Sequence, residues 1–88
     1  MTQSRTVLIT GGSSGIGAAL ARRYGANGWR VLITGRDLTR LASVVDSVRQ
    51  AGGWADGVKL DVTNRSEMKR YIEQNDAQAP IDLVIANA

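Results

Sequence analysis

Four short apolar runs alternate with three longer segments of helical periodicity along this 88-residue chain. Val7, Leu8 and Ile9 are consecutive, which predicts a strand over 5–10 covered on both faces, as in a parallel sheet. Ile16, Leu20 and Tyr24 then recur every fourth residue, predicting a helix over 14–27 with that stripe inward and Gly28 as its C-terminal cap. Val31, Leu32 and Ile33 repeat the strand pattern over 30–34. Leu38, Leu41, Val45 and Val48 mark the inward face of a second helix from Asp37 to Ala51, ended by Gly52-Gly53. A weaker strand, with Val58 and Leu60 as its apolar positions, covers 55–60. Thr63 or Asn64 caps a third helix, and Asn64 with Glu67 makes a capping-box-like pair. Met68, Tyr71 and Ile72 form the expected buried side of that helix. Pro80 breaks the pattern before a last strand, Ile81 to Ala86.

This βαβαβαβ order with short connections predicts an α/β fold, a parallel sheet with right-handed crossovers. In the doubly wound, Rossmann-type arrangement the strand order is 3-2-1-4, with the switch point between the first and fourth strands. Thr10, Arg36, Asp61 and Asn87 then all stand at carboxyl ends of strands, the edge where open α/β sheets bind ligands.

The segment Thr10-Gly11-Gly12-Ser13-Ser14-Gly15-Ile16-Gly17 joins the first strand to the first helix. Glycines here permit a tight turn, close approach of backbone to a pyrophosphate, and contact between helix and strand. The emerging helix presents unpaired N–H groups and its positive dipole end to the phosphates. The plainer alternative is an ordinary strand–helix turn.

Composition narrows the chemistry. The chain contains no cysteine and no histidine, which leaves neither disulfides nor the usual zinc and transition-metal ligand sets. The net charge of +3 comes from dispersed arginines, with only Arg22-Arg23 and Lys69-Arg70 adjacent, so no nucleic-acid-binding block is formed. The short polar start and the absence of a membrane-length apolar run predict a cytoplasmic protein with no membrane contact.

The loop spacing, Gly-x-x-x-Gly-x-Gly after a threonine, resembles the signature of the short-chain dehydrogenase/reductase family. Gly35-Arg36 after the second strand, Leu60-Asp61-Val62-Thr63 after the third and Ala86-Asn87-Ala88 after the fourth extend the resemblance over essentially the whole chain. It implies that residues 1–88 are the N-terminal part of a single NAD(P)-binding Rossmann domain, incomplete as a fold. The parent enzyme would move hydride between a nicotinamide and a carbonyl or alcohol substrate, typically as a homo-oligomer.

On this reading Gly11, Gly15 and Gly17 shape the phosphate loop, while Ser13, Ser14 and Ile16 offer hydroxyl or backbone groups beside it. Arg36 stands where a carboxylate would accept from a free ribose 2′-hydroxyl. A guanidinium there pairs with a 2′-phosphate instead, so NADP(H) is favoured over NAD(H). Alternatively Arg36 is simply solvated and Asp37 simply a helix cap. Ser14 occupies a position that is basic in some NADP-preferring members. Arg40, one turn on, either assists or lies on an exposed face. Asp61 and Val62 match the family's adenine-contact pair, although Asp61 alone also reads as a turn residue. Asn87 matches the second Asn of Asn-Asn-Ala-Gly, where it would tie the fourth strand to its neighbour and border the ribose; Ala86 replaces the first.

The family's tyrosine with a lysine four residues later is missing. Gly28 and Asn75 follow Tyr24 and Tyr71 at that spacing, and both tyrosines read as core. No catalytic residue is therefore assigned, and the chain is expected to be the inactive, cofactor-binding half of a longer reductase. A dinucleotide-binding or subunit-interaction module without turnover, and a truncation that does not fold stably, are the alternatives. The apolar fourth strand, with its far edge unpaired, predicts poor solubility or self-association.

Overall fold

The computed structural model describes residues 5–12, 15–61 and 63–87. Strands β1 (Thr6–Thr10), β2 (Arg30–Gly35), β3 (Trp54–Lys59) and β4 (Leu83–Ala86) alternate with helices α1 (Gly15–Ala26), α2 (Leu38–Gln50) and α3 (Arg65–Gln78). The strands form one parallel sheet in the order β3-β2-β1-β4, as the doubly wound reading predicts. Val7 pairs with Val31 and Leu83, and Ile9 with Ile33 and Ile85, so β1 is hydrogen-bonded on both sides.

Alternation along the strands divides the core in two. Val7, Ile9, Val31, Ile33 and Ala55 pack with Ala18 and Ala21 of α1 and with Leu41, Val44, Val45 and Val48 of α2. Each fully buried valine, leucine or isoleucine here is worth roughly 1.5–3 kcal/mol relative to exposure. Leu8 and Leu32, fully buried and paired in register, face the opposite side. α3 belongs to that side, because the β3-to-β4 crossover runs across the sheet opposite to the β1-to-β2 and β2-to-β3 crossovers, and right-handed connections then put it on the other face.

Several inward faces differ from the sequence reading. In α1 the buried residues are Gly17, Ala18, Ala21 and Gly25, whereas Ile16 is 72% exposed and Leu20 and Tyr24 are half-buried. The reason is proximity: a Cβ on Gly25 would stand 2.5 Å from Val48 Cγ1, so α1 lies too close to α2 for large side chains between them. Tyr24 instead packs edge-on against Trp29, ring centroids 4.9 Å apart. Leu38 is 61% exposed because it is the first residue of α2, before the helix has turned its apolar stripe inward. Met68, Tyr71 and Ile72 are only half-buried, and no residue of α3 is fully buried. β4 begins at Leu83 rather than Ile81, whose N–H donates to Asp76 Oδ1 and not to a strand partner.

Hydrogen bonding fixes the ends. Asp37 Oδ1 accepts from Thr39 N (3.0 Å) and Arg40 N (3.2 Å), making Asp37 the N-cap of α2. Asn64 Oδ1 accepts from Glu67 N at 3.1 Å, so Asn64 rather than Thr63 caps α3. Trp29 N donates to Tyr24 O and Gly28 N to Gly25 O, the paired closure expected of a helix ended by glycine. At the start of β4, Asp82 Oδ2 accepts from Thr6 N at 2.8 Å. No described helix is long and apolar enough to cross a membrane.

Candidate functional site

The carboxyl edge of the sheet gathers the ends of all four strands. At its centre, β1 runs into Gly11 and β4 into Asn87, and the two ends are locked together. Asn87 N donates to Thr10 O and Thr10 Oγ1, both at 3.2 Å, and Asn87 Nδ2 donates to Gly11 O at 3.1 Å. Thr10 Oγ1 in turn donates to Ile85 O at 3.4 Å. The expected tie between the fourth strand and its neighbour is therefore made by Asn87.

Glycine is required where these backbones meet. Gly11 has φ +70°, and a Cβ there would collide with the Asn87 carbonyl oxygen. A Cβ on Gly17 would lie 2.5 Å from Gly11 O, 2.7 Å from Asn87 Nδ2 and 2.9 Å from Gly12 Cα. The first turn of α1 thus sits directly against the loop leaving β1. A Cβ on Gly15 would meet nothing within 4 Å among the described residues, so open space lies beside Gly15 on that side. Such an edge, with the N-terminus of α1 opening beside it and no side chain at Gly11, Gly15 or Gly17, fits a pyrophosphate brought close to backbone N–H groups. Ser13, Ser14 and Val62 lie outside the described residues. Ile16, on the exposed first turn of α1, is placed beside the same opening.

The second half of the site is built by β2 and β3. Gly35 and Lys59 are register partners at the strand ends, and Leu60 N donates to Gly35 O at 3.0 Å. This brings Arg36 to Asp61, with Nη2 3.4 Å from Oδ1 and both side chains exposed (74% and 52%). Asp61 Oδ1 also accepts from Thr63 Oγ1 (2.7 Å) and Thr63 N (2.9 Å). The Thr63 hydroxyl, then its amide, then the Arg36 guanidinium hold the Asp61 carboxyl below its ordinary 3.8. An exposed ion pair of this kind contributes little to stability, so Arg36 can exchange partners at low cost. Arg40 Nε lies 3.6 Å from Asp37 Oδ2, an equally exposed pair with the cap of its own helix.

A shallow hollow beside Arg36 and Asp61 is lined also by Lys59, Leu60 and Glu67. Thr10 was expected at the ligand-binding edge, but Lys59, Glu67 and Thr63 were passed over as site residues. Only Thr63 carried a signal, the Asp-x-Thr spacing by which a carboxylate accepts from the chain two residues on.

Neither tyrosine sits at this edge as an acid or base. Tyr71 is on α3, its hydroxyl buried without a hydrogen-bond partner among the described residues, and burial together with the Asp56 charge pushes its pKa up to about 12. That direction is opposite to what proton exchange near neutrality requires.

The short chain dehydrogenase family model matches residues 5–88. An uncharacterized oxidoreductase of Myxococcus xanthus strain DK1622 is 42% identical over 85 residues, covering 96% of this chain and 34% of that protein. A metagenomic short-chain oxidoreductase solved in complex with NADP superposes with a TM-score of 0.90 at 33% identity, over 96% of this chain and 38% of that one. A variant of actinorhodin polyketide ketoreductase solved with NADPH gives a TM-score of 0.89 at 35% identity, over 97% and 33% of the two chains. The chain spans about a third of the length of the curated relatives it matches. With its glycine loop, strand order and strand-end residues in the arrangement described above, the chain belongs to the short-chain dehydrogenase family.

Proposed function

We propose that this chain is the cofactor-binding portion of an NADP(H)-dependent oxidoreductase acting on a carbonyl or alcohol substrate. The observation that carries this reading is the junction of Gly11, Gly17 and Asn87 at the switch point. Three backbones meet there, with the Asn87 side-chain amide the one group between them, beside the N-terminus of α1. When bound, the nicotinamide supplies hydride chemistry; the residues of this chain bind and orient. Gly11, Gly15 and Gly17 keep the loop low enough for a pyrophosphate to reach backbone N–H groups. Asn87 holds the loop to β4. Asp61, kept ionised by Thr63, offers an acceptor to the amino edge of an adenine. Arg36, at the end of β2, pairs with a 2′-phosphate in exchange for Asp61.

NADP and NADPH are the cofactors named for the two solved relatives, in support of this assignment. Among the described residues no group is placed to exchange a proton with a substrate oxygen, so binding without turnover is the expected behaviour of the chain by itself. Titration with NADPH and NADH, followed by nicotinamide fluorescence, tests the reading. NADPH is expected to bind more tightly, and Arg36→Leu to remove about tenfold of that preference. Equal affinities would overturn the NADP(H) assignment, and no binding of either would overturn the dinucleotide site.

A further inference from the structure

The hollow beside Arg36 holds a second cation that the family signature does not assign. Lys59 is the last residue of β3 and lines the hollow together with Arg36, Leu60, Asp61 and Glu67. Among the described residues the Lys59 ammonium makes no ion pair or hydrogen bond, whereas Arg36 is shared with Asp61 and Arg40 with Asp37. Lys59 therefore meets an incoming anion without giving up a partner among the described residues, whereas Arg36 must exchange Asp61 for it.

Charge decides whether it is needed. Arg36, Asp61 and Glu67 alone give the lining one net negative charge, which opposes a phosphate dianion. Lys59 brings the lining to neutrality and places a second positive group beside the first. Glu67 stands in the first turn of α3, where Asn64 accepts from its N–H, and its carboxylate adds to the negative charge of the lining.

We propose that Lys59 is a specificity-determining residue that, together with Arg36, holds the 2′-phosphate of the adenosine moiety. The two cations approach from neighbouring strands, since the parallel register sets Lys59 opposite Gly35 and Arg36 follows Gly35 directly. This inference rests on the carboxyl edge being a dinucleotide site. It adds that discrimination between the phosphorylated and the free ribose is divided between β2 and β3.

The test compares adenosine 2′,5′-bisphosphate with adenosine 5′-monophosphate, titrated calorimetrically into the wild-type chain, Lys59→Ala and Lys59→Arg. The bisphosphate is expected to bind wild type more tightly. Lys59→Ala should lose about fivefold for the bisphosphate, leave the monophosphate unchanged, and be restored by Lys59→Arg. An Ala variant that weakens both ligands equally, or neither, overturns the role of Lys59 while leaving the site intact. A wild-type chain that binds both ligands equally overturns the 2′-phosphate subsite, and one that binds neither overturns the dinucleotide site on which it depends.

Discussion

Gly17→Ala is a one-carbon change with a sharp expected consequence. The added Cβ would lie 2.5 Å from Gly11 O, 2.7 Å from Asn87 Nδ2 and 2.9 Å from Gly12 Cα. Ordinary contact lies near 3.5–4.0 Å, so these groups would have to retreat by roughly 1 Å. All three neighbours are held: two are backbone, and Asn87 is tied at once to Thr10 and Gly11. Overpacking of this kind costs about 1–3 kcal/mol. Losing the Asn87–Gly11 hydrogen bond adds about 1 kcal/mol, and alanine's better helix propensity returns about the same. The expected net loss in stability is therefore about 1–3 kcal/mol, with NADPH affinity falling at least tenfold because the loop itself is displaced. Urea denaturation followed by far-UV circular dichroism reads the first quantity, and NADPH titration in the absence of denaturant reads the second. Gly15→Ala is the comparison, since its Cβ would meet nothing within 4 Å and only the left-handed backbone at φ +59° resists it, at about 1–2 kcal/mol. A Gly17→Ala chain that is as stable as wild type and binds NADPH equally well would refute the close junction.

Tyr71→Phe should leave stability at neutral pH unchanged or raise it by up to about 1 kcal/mol, because the hydroxyl is buried without a partner among the described residues. It should also flatten an alkaline transition. With the folded pKa raised to about 12, the unfolded phenol ionises first, so stability is full below pH 10 and declines toward pH 12. The decline is about 1–2 kcal/mol after allowance for the half-exposed ring, and an unchanged alkaline slope in the variant would count against it. Thr63→Ala should raise the Asp61 pKa toward 3.8 by more than Arg36→Ala does, because the Thr63 hydroxyl is the larger cause of its depression. Carboxyl carbon NMR titration reads both, and the reverse ranking would contradict the geometry. Val84 is exposed on the edge strand β4, so Val84→Lys should shift a self-associating chain toward monomer in sedimentation velocity. A wild-type chain that is monomeric throughout would remove the premise.

Strand order and the glycine loop were legible because they rest on local rules: consecutive apolar residues, glycine spacing, and the handedness of parallel crossovers. Helix faces were less so. Ile16 and Leu38 satisfy a helical stripe on paper, but the inner face of α1 is set by how near α2 lies, and that favours Gly17, Ala18, Ala21 and Gly25. Hydrophobicity alone marks such small residues only weakly. The apolar positions of α3 were identified, yet their partial burial depends on what surrounds the helix rather than on its own sequence. At the site, the positions of Arg36, Asp61 and Asn87 followed from strand ends. Their mutual contacts did not, because the Arg36–Asp61 pair and the inclusion of Lys59 arise from the β2–β3 register, which spacing along the chain does not specify.

Whether the carboxyl edge of this sheet receives NADP(H) is read residue by residue from amide NMR on the 15N-labelled chain titrated with NADP+. Saturable shifts are expected at Gly11, Gly15, Gly17, Arg36, Asp61 and Asn87, with the amino-edge residues Trp29, Arg30 and Trp54 unmoved. Shifts confined to the amino edge, or none at saturating cofactor, would contradict binding at the carboxyl edge.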